Sequence, residues 1–142
     1  MMLAVMAVMM TCLSACAGSP QLVQFNELPK DAQTFVETYF HVADVSYIQR
    51  EKDGLHYDYE VRMSNGTEID FNHDGKLESV DCKRQAVPAG IVPEAIVTYI
   101  TKQFANAVIV KYEIDRRDQK VELSNSLELE FDLQGNFLRI DD

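Results

Sequence analysis

Leu55-His56-Tyr57-Asp58-Tyr59-Glu60-Val61-Arg62-Met63-Ser64-Asn65-Gly66 alternates apolar and polar side chains from Leu55 to Ser64 and then ends in Asn-Gly. A period of two places Leu55, Tyr57, Tyr59, Val61 and Met63 on one face of a strand and the polar residues on the other, so one face is buried and one is wet. Asn-Gly is the strongest short signal for a tight hairpin. The return strand alternates again, with Ile69 and Phe71 opposite in phase to Glu68, Asp70 and Asn72. A second turn at His73-Asp74-Gly75 leads into a strand from Leu77 through Cys82, and an earlier strand runs from Val45 to Glu51, bounded by Lys52-Asp53-Gly54.

Upstream of these strands the period changes. Ala32, Phe35, Val36, Tyr39 and Phe40 follow the i, i+3, i+4, i+7, i+8 spacing of a helix that buries one side, and Pro29 suits its first turn. Pro93 with Ile96, Tyr99, Ile100 and Phe104 has the same form. The two segments align further. Pro29 matches Pro93 at an offset of 64 residues, while Val61-Arg62-Met63-Ser64-Asn65 matches Val121-Glu122-Leu123-Ser124-Asn125 at an offset of 60. The loss falls in the turn between Asp53-Gly54 and the Arg116-Arg117-Asp118 region, where packed elements are not disturbed. The second segment's strands fall at Val108 to Asp115, Gln119 to Ser124, Leu127 to Leu133 and Asn136 to Asp141.

The sequence therefore predicts an α+β protein of two tandem repeats, each one helix plus a four-stranded antiparallel sheet, with the sheets open to joining into one curved sheet. The repeats span residues 18–82 and 92–142. A unit this small is marginal alone, so the two should share a core or a sheet. The connector, residues 83–91, contains Ala86, Val87, Pro88 and Ile91, and this content suggests that it packs down as a helical turn rather than acting as a free linker.

Residues 1–17 carry no charge and begin with an apolar run of about the length of a secretory signal, too short to span a bilayer. Leu13-Ser14-Ala15-Cys16 resembles the lipobox of bacterial lipoproteins, which implies lipidation at Cys16 and a protein in the periplasm or at the outer membrane or cell surface. Ala15-Cys16-Ala17 also fits an ordinary small-residue cleavage site, which implies plain secretion. Cys82 is the sole cysteine after the leader, so no disulfide forms within the domain, and its neighbour Asp81 raises rather than lowers a thiol pKa. A structural cysteine at a strand end is the expectation.

The residues Leu28-Pro29, Phe35, Tyr39-Phe40, Ser64-Asn65-Gly66, Ile69-Asp70-Phe71, Gly75, Val80-Asp81-Cys82, Val87-Pro88 and Ile91-Val92-Pro93, with Phe131-Asp132 and Gly135 in the second segment, resemble the PepSY-like proteins of Bacteroides-type bacteria. Those proteins share the tandem build of the β-lactamase inhibitor protein. The resemblance implies an exported protein with a concave sheet surface and a role in regulating a peptidase or another envelope enzyme. It carries over no catalytic residue.

The chain has 13 Lys+Arg against 23 Asp+Glu and a formal net charge of −10, which argues against nucleic acid as a partner. The wet strand face is where the acid gathers. Asp58, Glu60, Glu68 and Asp70 lie on it in the first repeat, and Glu122, Glu128 and Glu130, with Glu113, Asp115 and Asp132, in the second. Such a face can steer a basic protein or peptide, and a solvated, aggregation-resistant face has the same appearance. Asp70-x-Asn72-x-Asp74-Gly75 with Asp81 at the twelfth position has calcium-loop spacing, but it sits between strands, and the second repeat keeps related residues where its hairpin turns. His41, His56 and His73 lack zinc-ligand spacing, and no phosphate loop or nucleophile elbow occurs. The sequence thus points to an exported, non-catalytic module without a cofactor. It engages an envelope protein or peptide through the acidic face or hairpin loops, with cation or small-ligand binding at the Asp70–Asp81 turn as the alternative.

Overall fold

Alternating patterns joined by tight turns leave each strand one partner close at hand, and the chain uses that partner every time. The structure is a computed structural model that describes residues 19–141. Its strands are β1 (Gln21–Val23), β2 (Val45–Asp53), β3 (His56–Met63), β4 (Glu68–Phe71), β5 (Leu77–Asp81), β6 (Ile109–Ile114), β7 (Asp118–Leu123), β8 (Glu128–Asp132) and β9 (Phe137–Asp141). They form one antiparallel sheet in chain order from β1 to β9, which is not closed. Helix α1 (Lys30–Tyr39) precedes β2 and helix α2 (Glu94–Gln103) precedes β6.

Each helix begins directly after a proline, Pro29 or Pro93, whose φ near −50° is already set for the first turn. Ala32 and Val36 of α1 are buried against Ile48, Val61, Ile69, Phe71 and Val80 of the sheet, and Ile96 and Ile100 of α2 against Tyr112, Val121, Leu129 and Phe131. The same alternation face is used in every strand, so both helices cover one side of the sheet and leave the other to solvent. Aromatic contacts repeat under both helices: Phe35 meets Phe71 edge-on, as Tyr99 meets Phe131, each with centroids 5.5 Å apart. Leu77, Val87 and Ile91 touch both apolar clusters and so bridge them.

The sheets of the two segments, left open to joining by the sequence, are continuous. Ser79, Val80 and Asp81 of β5 pair with Glu113, Tyr112 and Lys111 of β6. The connector packs down, with the Val87 amide donating to the Ile109 carbonyl. It does so as a series of turns, not as the helical turn expected, because Pro88 lacks a donor and Lys83 and Gly90 take positive φ of 61° and 95°. Strand β1 was not foreseen; it is three residues long and pairs with Arg50, Gln49 and Ile48 of β2. Among the described residues no helix is long and apolar enough to cross a membrane. The leader and Cys16 lie outside the described residues.

Candidate functional site

The polar residues of the strands line up across the sheet in two rows. One row runs Gln49, Glu60, Asp70, Ser79, Glu113, Lys120, Glu130 and Arg139, each opposite the next. The other runs Tyr47, Arg62, Glu68, Asp81, Lys111, Glu122, Glu128 and Asp141. Their electrostatics differ. In the second row Arg62 pairs with Glu68, Lys83 lies 3.4 Å from Glu68 and 3.1 Å from Asp81, and Lys111 lies 2.9 Å from Glu113 of the first row. Glu68, Asp81 and, through Lys120 at 3.2 Å, Asp141 are thus paired, while Glu122 and Glu128 stand opposite each other with no ion pair among the described residues.

The first row, from Gln49 to Glu130, lies in an open trough of about 1140 Å³ between the rims formed by the β2–β3, β4–β5 and β6–β7 turns. Ten carboxylates line it against Lys76, Arg116 and Lys120 as the fixed cations. The acid is densest over β2 to β5, where Glu51, Asp53, Asp58, Glu60, Asp70 and Glu78 gather. Asp58 is held above the usual carboxylate range, chiefly by desolvation and next by the charge of Asp53. Desolvation also raises Asp70, with Glu60 and Glu68 adding to it, against the 2.7 Å hydrogen bond donated by the Ser79 hydroxyl. Glu78 is raised by desolvation and then by Asp58, Asp70 and Asp53. Desolvation first and neighbouring charge second thus disfavour the ionised forms, and a cation that joins these groups offsets both.

Of the acids expected on one face, Asp58, Glu60 and Asp70 come together in the trough. Glu130 lies at its far end, nearly buried and paired with Arg139, with Lys120 4.0 Å away. Glu68, Glu122 and Glu128 share the face but stand in the second row, outside the trough. Asp115 and Asp132 act as turn caps: Asp115 accepts from the Arg117 and Asp118 amides, and Asp132 from Gln134 and Asn136, which lowers both pKa values. Sequence reading missed Glu51, Asp53 and Glu78. Extending the alternation back along β2 finds the first two, because Glu51 faces Asp58 and Asp53 faces His56. Glu78 is the bulged residue of β5, skipped between the Phe71–Leu77 and Asp70–Ser79 pairs, where alternation gives no guide.

The Asp70–Asp81 turn does not gather its oxygens as a calcium loop does. Asn72 Oδ1 accepts from the Asp74 and Lys76 amides, and Asp81 binds the Lys83 amide and ammonium. Asp81 stands opposite Glu68, not beside Asp70. Among the described residues no three His, Cys, Asp or Glu side chains are placed to hold a metal ion. His56 and His73, distant in sequence, are stacked at the rim of the trough with centroids 4.2 Å apart. Cys82 is buried, and its thiol is pushed up by burial, as a structural cysteine requires.

An α+β protein with helices on one side of an open antiparallel sheet and a polar trough on the other is a surface-presenting scaffold. The family model described as "Putative beta-lactamase-inhibitor-like, PepSY-like" matches residues 57–139, and the chain belongs to this PepSY-like family. The fold is similar to a "putative calcium-regulated periplasmic protein" of Bacteroides thetaiotaomicron, at 38% identity and TM-score 0.81, over 87% of this chain and 97% of that one. It is also similar to two periplasmic proteins of Bacteroides vulgatus. One, of the DUF2874 family, has 37% identity and TM-score 0.82 over 87% and 98% of the two chains. The other, of unknown function, has 32% identity and TM-score 0.79 over 87% and 100%. No curated protein matches the chain.

Proposed function

We propose that this protein is a non-catalytic binding module of the cell envelope that holds a basic segment of a protein or peptide in the trough. The observation that carries this reading is the group Asp58, Asp70 and Glu78, whose pKa values are raised by desolvation and by neighbouring carboxylates. A lysine- or arginine-rich segment relieves that crowding and gains from a field already in place. An open trough suits an extended segment better than a small molecule, which favours an enclosed pocket. The periplasmic descriptions of the three neighbours support export, and the Leu13–Cys16 motif supports a lipid anchor at Cys16. The matching order of one helix and four strands supports an origin by duplication. So do bulges at equivalent places, Val45/Tyr47 with Ile109/Lys111 and Asp70/Phe71 with Glu130/Phe131.

Titration with a fluorescent oligolysine peptide tests the trough. Binding is expected at low salt, weakening as salt rises and as pH falls through the raised carboxylate range. The Asp58→Asn, Asp70→Asn, Glu78→Gln variant should lose about tenfold or more in affinity. A Glu122→Gln, Glu128→Gln variant, altered outside the trough, should retain most of it. Equal binding by the trough variant and the parent rejects the reading.

A second reading follows from the neighbour described as calcium-regulated. In it the trough carboxylates, Asp70 and Glu78 of the Asp70–Asp81 segment among them, attract calcium through their summed charge, since among the described residues no three are placed to ligate one ion. Calorimetry with calcium chloride is expected to give heat that the trough variant lacks, and no heat from the parent removes this reading.

A further inference from the structure

Among the described residues, strand β9 is the last in the sheet and has β8 as its one neighbour. Its interior counterpart is β5, likewise the fourth strand after a helix and likewise the return of a hairpin, but flanked by β4 and β6. The two strands carry related residues at matching places. Val80 stands opposite Ile69 as Ile140 stands opposite Leu129, and Asp81 stands opposite Glu68 as Asp141 stands opposite Glu128. Their surroundings differ. Val80 is 0% exposed, covered on its outer side by Tyr112 of β6, whereas Ile140 is 46% exposed and Leu138 is 48% exposed. Asp81 stands opposite Lys111 across the β5–β6 seam; against the desolvation that raises it, its pKa is lowered chiefly by the Lys83 amide and ammonium, with Lys111 adding to them.

Strand β6 thus gives β5 two things: an apolar side chain opposite Val80 and a cation opposite Asp81. Strand β9 can give both to a second copy of itself. In an antiparallel pair centred on Ile140, the two Ile140 side chains face each other on the helix side. Arg139 of each copy then stands opposite Asp141 of the other on the acidic side, twice by symmetry, and so extends the ion pairs that Arg139 makes with Glu130 and Asp141 with Lys120 inside each copy. The other edge fits less well. Gln21, Leu22 and Val23 of β1 carry no charge to set against Asp141, and β9-to-β1 pairing builds an open chain of copies instead of a closed pair. Strand β9 also lacks the lysine or proline with which edge strands are commonly protected against pairing.

We propose that β9 is the self-association edge of this protein and that two copies join their sheets by antiparallel pairing about Ile140. The dimer places both troughs on one extended face, because pairing within a sheet keeps like faces together.

Sedimentation velocity of the purified chain over a range of concentrations should show the mass doubling, and Ile140→Lys should abolish the doubling without loss of fold. Mild oxidation of Ile140→Cys in a Cys12→Ser, Cys16→Ser background should give a covalent dimer, since facing side chains on paired strands lie within disulfide reach. Leu22→Cys in the same background serves as the control for the opposite edge and should cross-link far less. A chain that stays monomeric at every concentration overturns the proposal. So does a dimer that persists in a folded Ile140→Lys variant, or cross-linking through Leu22→Cys in preference to Ile140→Cys. Should Ile140→Lys fail to fold, the two cysteine variants still decide the matter.

Discussion

At Gly75 the hairpin between β4 and β5 comes up under the start of α1. The residue has φ +83°, and a Cβ there would lie 2.7 Å from Pro29 Cβ and 3.0 Å from the Ala32 nitrogen. Two costs combine in Gly75→Ala: a left-handed backbone that L residues disfavour, and backbone crowding that cannot relax without moving the helix. The substitution should lower stability by about 2–4 kcal/mol in urea denaturation. Gly66→Ala, with φ +92° but open space around it, should cost only about 1–2 kcal/mol. Reading the sequence as a turn accounts for the first cost at Gly75. The second depends on where a helix lands, which the sequence of the turn does not encode. The stacking of His56 on His73 was hidden for the same reason: the β2–β3 and β4–β5 turns meet only because the sheet register brings them to one end.

Among the elements, β6, β7 and β8 are tied together by a buried polar relay. The Tyr112 hydroxyl donates to Gln119 Oε1 at 2.5 Å, and Gln119 Nε2 donates to the Asp132 carbonyl at 2.9 Å. Burial pushes the Tyr112 phenol up to about 12 from its ordinary 10.0. Between those values the folded chain keeps a proton that the unfolded chain releases, so stability falls as pH rises from 10 toward 12, by about 2–3 kcal/mol in all. Urea midpoints measured across that range should show the decline, and Tyr112→Phe should make it shallower, leaving the part due to the raised Lys83, Lys111 and Lys120, while lowering stability near neutrality by about 1–2 kcal/mol through the unpaired Gln119. The strands and helices themselves were legible, because a period of two or of 3.6 marks a face wherever one side is buried. Strand β1 was not, since three residues carry no period and their pairing depends on the exposed edge of β2. The trough acids were half legible: alternation selects the face, while the register across the β5–β6 seam decides which carboxylates lie together.

For the molecule as a whole, Leu77, Val87 and Ile91 belong to both apolar clusters, and the sheet runs unbroken beneath them. Two half-sized cores that share side chains and a seam should melt together. Calorimetry should therefore give one transition whose measured enthalpy equals the van't Hoff value. Two resolved transitions would mean that the halves are coupled only weakly. The nearest-neighbour strand order has a consequence for biogenesis. A polypeptide that emerges from a narrow conduit N-terminus first finds each strand's mate already outside, so zipping can keep pace with delivery and no late segment has to be inserted into a finished interior.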